Sequence, residues 1–175
     1  MKKSFFCFVF ILLVIGQAFA QDNPFAKLDF IIGEWHGAGN GFGNSKSKIE
    51  SGFKYVMGGK YIEVINDSKF EPTKKNPEGE HHIDKGFISY DKIRKVIVFR
   101  QFNIEGYVNQ YVLNEELSNE SELVFETEEI ENFMPGGKAK WVIKKLSDNK
   151  LETKFHVSFP KKDYTCFGTN VLIKK

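Results

Sequence analysis

The chain has 175 residues, with 25 Lys or Arg against 23 Asp or Glu and a formal net charge of +2. That balance lacks the concentrated basic face that a nucleic-acid-binding surface needs. Aromatic residues are plentiful, at 18 Phe, 6 Tyr and 2 Trp, so a domain of this length has material for a real core.

Residues 1–20 read as an export signal rather than as part of the fold. Lys2 and Lys3 give a basic start, Phe5 to Gly16 is apolar, and Ala18-Phe19-Ala20 supplies small residues for cleavage before Gln21. The apolar run is shorter than the roughly 20 residues of a membrane span. The expectation is an exported chain, periplasmic or extracellular, with residues 21–175 as one domain and no stable membrane insertion after processing. Losing Lys2 and Lys3 leaves 23 basic against 23 acidic residues, a formally neutral product. Cys166 is then the one remaining cysteine, which rules out an intramolecular disulfide. It sits in Tyr164-Thr165-Cys166-Phe167, where a strand cysteine behaves as a small hydrophobe.

Phe25, Leu28, Ile31 and Ile32 have helical spacing and predict a short helix or turn that plugs one end of a sheet. Next comes Gly33-Glu34-Trp35-His36-Gly37-Ala38-Gly39, a strand whose small residues let another backbone approach closely. A Gly/Asn-rich turn follows at Asn40 to Asn44. Strand signals then recur about every ten residues: Lys46 to Val56, Tyr61 to Phe70, His81 to Tyr90, Lys95 to Phe102 and Tyr107 to Leu113. Ser121 to Glu129, Lys138 to Leu146, Leu151 to Phe159 and Tyr164 to Ile173 complete the series. Turn chemistry separates them, notably the glycine pair in Met57-Gly58-Gly59-Lys60 and the charged, proline-bearing loop from Glu71 to Gly79. About ten strands in an open sheet would leave edges to manage, and closure removes them. The fold class is therefore all-β: an antiparallel up-and-down barrel of about ten strands, wide enough for a cavity.

The Gly33–Gly39 segment resembles the opening motif of calycin-type barrels, most closely the Gly-x-Trp-x-Gly-x-Gly pattern of the nitrobindin branch. Val56-Met57-Gly58-Gly59-Lys60-Tyr61 and Gly86-Phe87-Ile88-Ser89-Tyr90-Asp91 are similar to a group of uncharacterised bacterial barrels of the same superfamily. The resemblance implies a ten-stranded, fatty-acid-binding-protein-like barrel. In nitrobindins it also implies haem, held by one histidine near the start of the last strand. The corresponding place here is Gly168-Thr169-Asn170, which holds no histidine.

Among candidate site residues, Trp35 either closes one end of the barrel beneath a basic side chain such as Lys174 or lines the pocket. Its neighbour His36 should point to the opposite, solvated face. Arg100 lies mid-strand among apolar residues, and a buried Arg needs a carboxylate partner. Fatty-acid-binding barrels hold their ligand's carboxylate with interior Arg and Tyr, so by that resemblance Arg100 with Tyr107 or Tyr111 forms a candidate anchor. His156 shares a polar face with Lys154 and Ser158 and could meet haem only if that face looks inward. Glu80, His82 and Asp84 share one strand face and are all metal-ligating types. Same-face neighbours stand about 7 Å apart, which suits a solvated polar face better than a metal site, and no metal is assigned.

No nucleophile elbow, Walker loop, zinc spacing or kinase signature occurs, so no catalytic residue can be nominated. The sequence therefore predicts an exported, non-enzymatic barrel that binds a small apolar or amphipathic molecule. Its alternatives are a haem-binding protein acting on reactive nitrogen species and a structural or interaction domain without a ligand.

Overall fold

A computed structural model describes residues 23–41, 45–74 and 76–175; the signal segment lies outside the described residues. A short 3-10 helix, Ala26–Ile31, precedes ten strands. They are Gly33–Asn40 (β1), Lys46–Val56 (β2), Tyr61–Phe70 (β3), Glu80–Asp91 (β4), Val96–Asn103 (β5), Val108–Leu113 (β6), Glu122–Glu131 (β7), Lys138–Ser147 (β8), Lys150–Ser158 (β9) and Thr165–Lys174 (β10). Each pairs antiparallel with its sequence neighbours, and β1 pairs with β10, so the sheet closes into a barrel. The expected all-β barrel is the fold observed.

Period-two patterning drives each strand. In β2, Ser47, Ile49, Ser51 and Phe53 are buried while Lys46, Lys48, Glu50 and Lys54 are exposed. Most boundaries fall within a residue or two of the sequence reading. Lys95 drops out of β5 because its φ of 57° ends the preceding turn in the left-handed region.

The opening motif has a steric reason. A Cβ at Gly37 would stand 2.0 Å from the Val171 carbonyl oxygen, and one at Gly39 would stand 1.9 Å from Asn170 Oδ1. Glycine at these positions lets β10 seat against β1 and close the sheet.

The two ends of the barrel differ. At one end lie the helix and the β2–β3, β4–β5, β6–β7 and β8–β9 turns; at the other lie the remaining connections. The helix drives Leu28 and Ile31 into the first end, with Phe25 beside them, all fully buried. Each such side chain removed from water contributes about 1.5–3 kcal/mol. Trp35 lies under the helix, and its Nε1 donates to the Ile31 carbonyl at 2.8 Å. Lys174 Nζ covers the ring at 5.3 Å, and His36 points outward to solvent. The Tyr55 hydroxyl donates to Asp29 at 2.8 Å, and Lys27 pairs with Glu115, fastening the helix to the barrel wall.

Candidate ligand-binding cavity

Above that plug the interior is filled to mid-height by an aromatic layer. Phe99 stacks on Tyr111 at 5.6 Å and meets Phe125 at 6.1 Å and Trp141 at 5.4 Å. Phe53 also stacks on Trp141, at 6.2 Å. From this floor to the other end the interior is hollow, a cavity of about 1010 Å³.

Its wall is of mixed chemistry. Trp141, Phe155, Phe133, Phe167, Phe70 and Ile49 supply apolar surface, and the same inward face carries Ser47, Asn66, Gln101, Asn109, Thr153 and Asn170. Small and polar side chains at the inward positions of β1, β2, β3 and β10 explain why this half is hollow: they cannot fill the barrel as the large apolar side chains of the closed end do. The mouth is ringed by the β1–β2, β3–β4, β5–β6, β7–β8 and β9–β10 connections, with Gly41, Thr73, Lys74, Glu105 and Phe133 among the lining residues.

Two polar groupings stand out. On the floor, Asn109 Nδ2 donates to the Tyr111 hydroxyl at 3.0 Å and to Gln101 Oε1 at 3.5 Å, and that hydroxyl donates to Gln101 Oε1 at 3.3 Å. Gln101 and Asn109 face each other across β5 and β6, and both are more than nine-tenths buried. Burial pushes the Tyr111 phenol well above its ordinary range, so it stays a neutral hydrogen-bonding group. Toward the mouth, His82 places Nε2 2.7 Å from Glu80 and Nδ1 against Glu105, with Phe70 edge-on at 5.3 Å. Both contacts are hydrogen bonds at once only when both ring nitrogens carry protons.

Asp84 lies between these groupings on the same face of β4. Burial, reinforced by the charge of Glu105 and opposed by His82, raises its carboxyl to a pKa of about 7. The sequence reading placed Glu80, His82 and Asp84 on a solvated outer face; the structure turns that face inward. Among the described residues no group of three His, Cys, Asp or Glu is arranged to hold a metal.

The residues singled out from sequence divide three ways. Tyr107 and Tyr111 line the cavity. Trp35 is buried in the closed end, outside the cavity wall. Arg100 and His156 are on the outer surface: Arg100 is exposed and donates to Ser89 Oγ at 3.3 Å, so the anchor of Arg100 with Tyr107 or Tyr111 does not form. The reason is register, because Phe99 and Gln101 take the inward positions of β5. His156 sits between Lys140 and Cys166 across the neighbouring strands, and its Nδ1 has no hydrogen-bond partner. Desolvation and the Lys140 charge hold its imidazole below the ordinary histidine range. No sequence motif marks Gln101 or Asp84 as an anchor, while alternation from Tyr111 through Asn109 offers one signal.

Haem does not fit the donors present. Gly168 and Asn170 line the cavity at the place where the resemblance implies an axial histidine. His82 is the histidine facing the cavity among the described residues, and both of its nitrogens are engaged by carboxylates.

No protein-family model matches the chain, and no curated protein matches it. Among solved structures, the fold is similar to that of Rv2717c from M. tuberculosis, with a TM-score of 0.63 and 14% identity over 87% of this chain and 97% of that one. The EF1p2_mFAP2b protein bound to DFHBI aligns at a TM-score of 0.45 and 8% identity, over 85% and 97% of the two chains. The likeness to Rv2717c is one of fold. No helix among the described residues is long and apolar enough to cross a membrane.

Proposed function

We propose that this chain is an exported, non-enzymatic barrel that takes up one small apolar or amphipathic molecule through the open end. The observation that carries the reading is the cavity of about 1010 Å³ above the aromatic floor. Ligand sites typically span about 300–1,000 Å³ and combine apolar walls with a few convergent polar groups. Here Trp141, Phe155 and Phe167 supply the walls, while Gln101, Asn109 and Asp84 supply the polar groups. The arrangement supports binding rather than turnover. Tyr111 is held neutral within a hydrogen-bonded set, and His82 is clasped by two carboxylates, which leaves neither poised as a nucleophile or base.

Titration with Nile red, an uncharged fluorophore that brightens in apolar surroundings, tests the reading. Saturable binding of one dye per chain is expected, with energy transfer from Trp141 that is lost in Trp141→Phe. Absence of saturable uptake would count against a ligand-binding role and favour a purely structural barrel.

A further inference from the structure

The cavity's charge and hydrogen-bonding pattern narrow the ligand class, an inference that rests on the ligand-binding reading. We infer that the buried polar seat formed by Asp84, Gln101 and Asn109 receives the head of an amphiphile that donates hydrogen bonds and carries positive charge, a protonated amine or amidine, rather than a carboxylate. The apolar tail then lies along Trp141, Phe155 and Phe167.

Three observations support this. First, the internal hydrogen bonds of the floor leave particular atoms free. Asn109 spends its amide N–H groups on Gln101 and Tyr111, so its Oδ1 remains an acceptor. Gln101 spends its carbonyl on Asn109 and Tyr111, so its Nε2 remains a donor that a protonated amine or amidine cannot meet, and the acceptors that favour a donating head are Asn109 Oδ1 and the Asp84 carboxylate. Both side chains are more than nine-tenths buried, and both face the cavity. Neither atom is sealed away from the cavity, so a ligand on the floor can reach Asn109 Oδ1.

Second, the carboxyl beside them is without a hydrogen-bonded cation. Among the described residues no side chain donates to Asp84, although it is largely buried against Asn66 on β3 and Asn103 on β5. Gly86, the next inward position on β4, places no side chain between Asp84 and Gln101.

Third, the charges around the cavity favour a cation. The titratable groups that line the cavity with Asp84 are His82 and Glu80 on its own strand, Glu105 in the β5–β6 turn, Tyr107 beside that turn, Tyr111 on β6, and Lys74 in the β3–β4 loop. Among the described residues Lys74 is the one Lys or Arg lining the cavity, and it stands at the mouth. Arg100, which could have neutralised a ligand carboxylate, points to the outer surface. A carboxylate head on the floor would be buried near Asp84 with no basic side chain nearby except His82, which Glu80 and Glu105 already engage, an arrangement of high desolvation cost. A cationic head converts Asp84 from an expensive buried acid into an ion pair.

Displacement of Nile red by decylamine, decanol and decanoate at pH 6 and pH 8 decides the matter. These probes share a chain and differ in head group. Decylamine is expected to bind tightest at pH 8 and decanoate weakest. The decylamine-to-decanol affinity ratio should rise about tenfold from pH 6 to pH 8 as Asp84 ionises, and stay flat in Asp84→Asn. The wild-type ranking needs no variant, so it stands even if Asp84→Asn folds poorly. Decanoate binding as tightly as decylamine, a flat wild-type ratio, or an equal rise in Asp84→Asn overturns the inference while Nile red uptake preserves the ligand-binding reading. Failure of Nile red itself to bind overturns both.

Discussion

The closed and open halves of this barrel are built on the same strands by opposite rules. In the closed half, Phe25, Leu28, Ile31, Trp35, Ile62, Ile88, Leu123 and Ile143 leave almost no surface to water, and the one indole N–H is satisfied by a backbone carbonyl. In the open half, inward positions of the same strands hold Ser47, Asn66, Asp84, Gln101, Asn109, Thr153 and Asn170 around empty space. The contrast teaches that stability and recognition are divided along the barrel axis. The plug and aromatic floor hold the fold, which frees the upper wall to carry polar groups that a packed core would exclude.

Substitutions that act on one half alone should break or sharpen that division. The largest expected effect is in the plug. Trp35→Ala removes a fully buried ring and should cost about 3–5 kcal/mol in urea unfolding, whereas Phe155→Ala, on the cavity wall, should cost less than about 1 kcal/mol because its ring already faces open space. Equal costs would erase the distinction between the halves.

Next in size is a pH effect centred on Asp84. With its carboxyl raised to about 7 in the folded protein, against an ordinary value near 4 when unfolded, the native state binds more protons between those values. Stability contributed by the protonated group is thus fully present below pH 4 and falls as pH rises toward 7. The loss is on the order of a few kcal/mol, reduced by whatever water enters the cavity. Glu128 and Asp148, whose carboxyls are held low by Arg94 and Lys145, act in the opposite sense but are exposed. Urea midpoints for wild type and Asp84→Asn should therefore converge at pH 4 and separate at pH 8, with the variant more stable. Parallel curves would show that Asp84 pays no burial penalty.

Smaller again is Tyr111→Phe, which keeps the stacking on Phe99 but removes the hydroxyl that joins Asn109 to Gln101. A loss of roughly 1 kcal/mol is expected by chemical denaturation, with ligand affinity falling more than stability. The smallest effect belongs to Lys174→Ala, which uncovers the Trp35 ring and should cost about 0.5–1 kcal/mol.

The fold was legible because closure and alternation leave few choices. The Gly37 and Gly39 positions mark where β10 must seat, and the helical spacing of Leu28 and Ile31 announced a plug. The site was harder to read because β5 is apolar on both faces. Ile97, Val98 and Phe99 are all buried, so periodicity alone could not say whether Arg100 or Gln101 looked inward. The same ambiguity hid the inward turn of Glu80, His82 and Asp84: charged residues on a strand ordinarily signal solvent, and only a hollow half-barrel reverses that rule. Tyr107 and Tyr111 line the cavity while Arg100 and His156 lie on the outer surface, and the pairing of Gln101 with Asn109 emerges only once register is fixed.

The division between halves is tested most directly by two-dimensional NMR of methyl and amide groups during titration with decylamine. Saturable shifts are expected at Ile49, Ile130, Ala139 and Val157 around the cavity, with Leu28, Ile31, Ile62 and Leu172 in the closed end unmoved. Shifts centred instead on the outer face around Arg100 and His156, or spread through the plug, would contradict it.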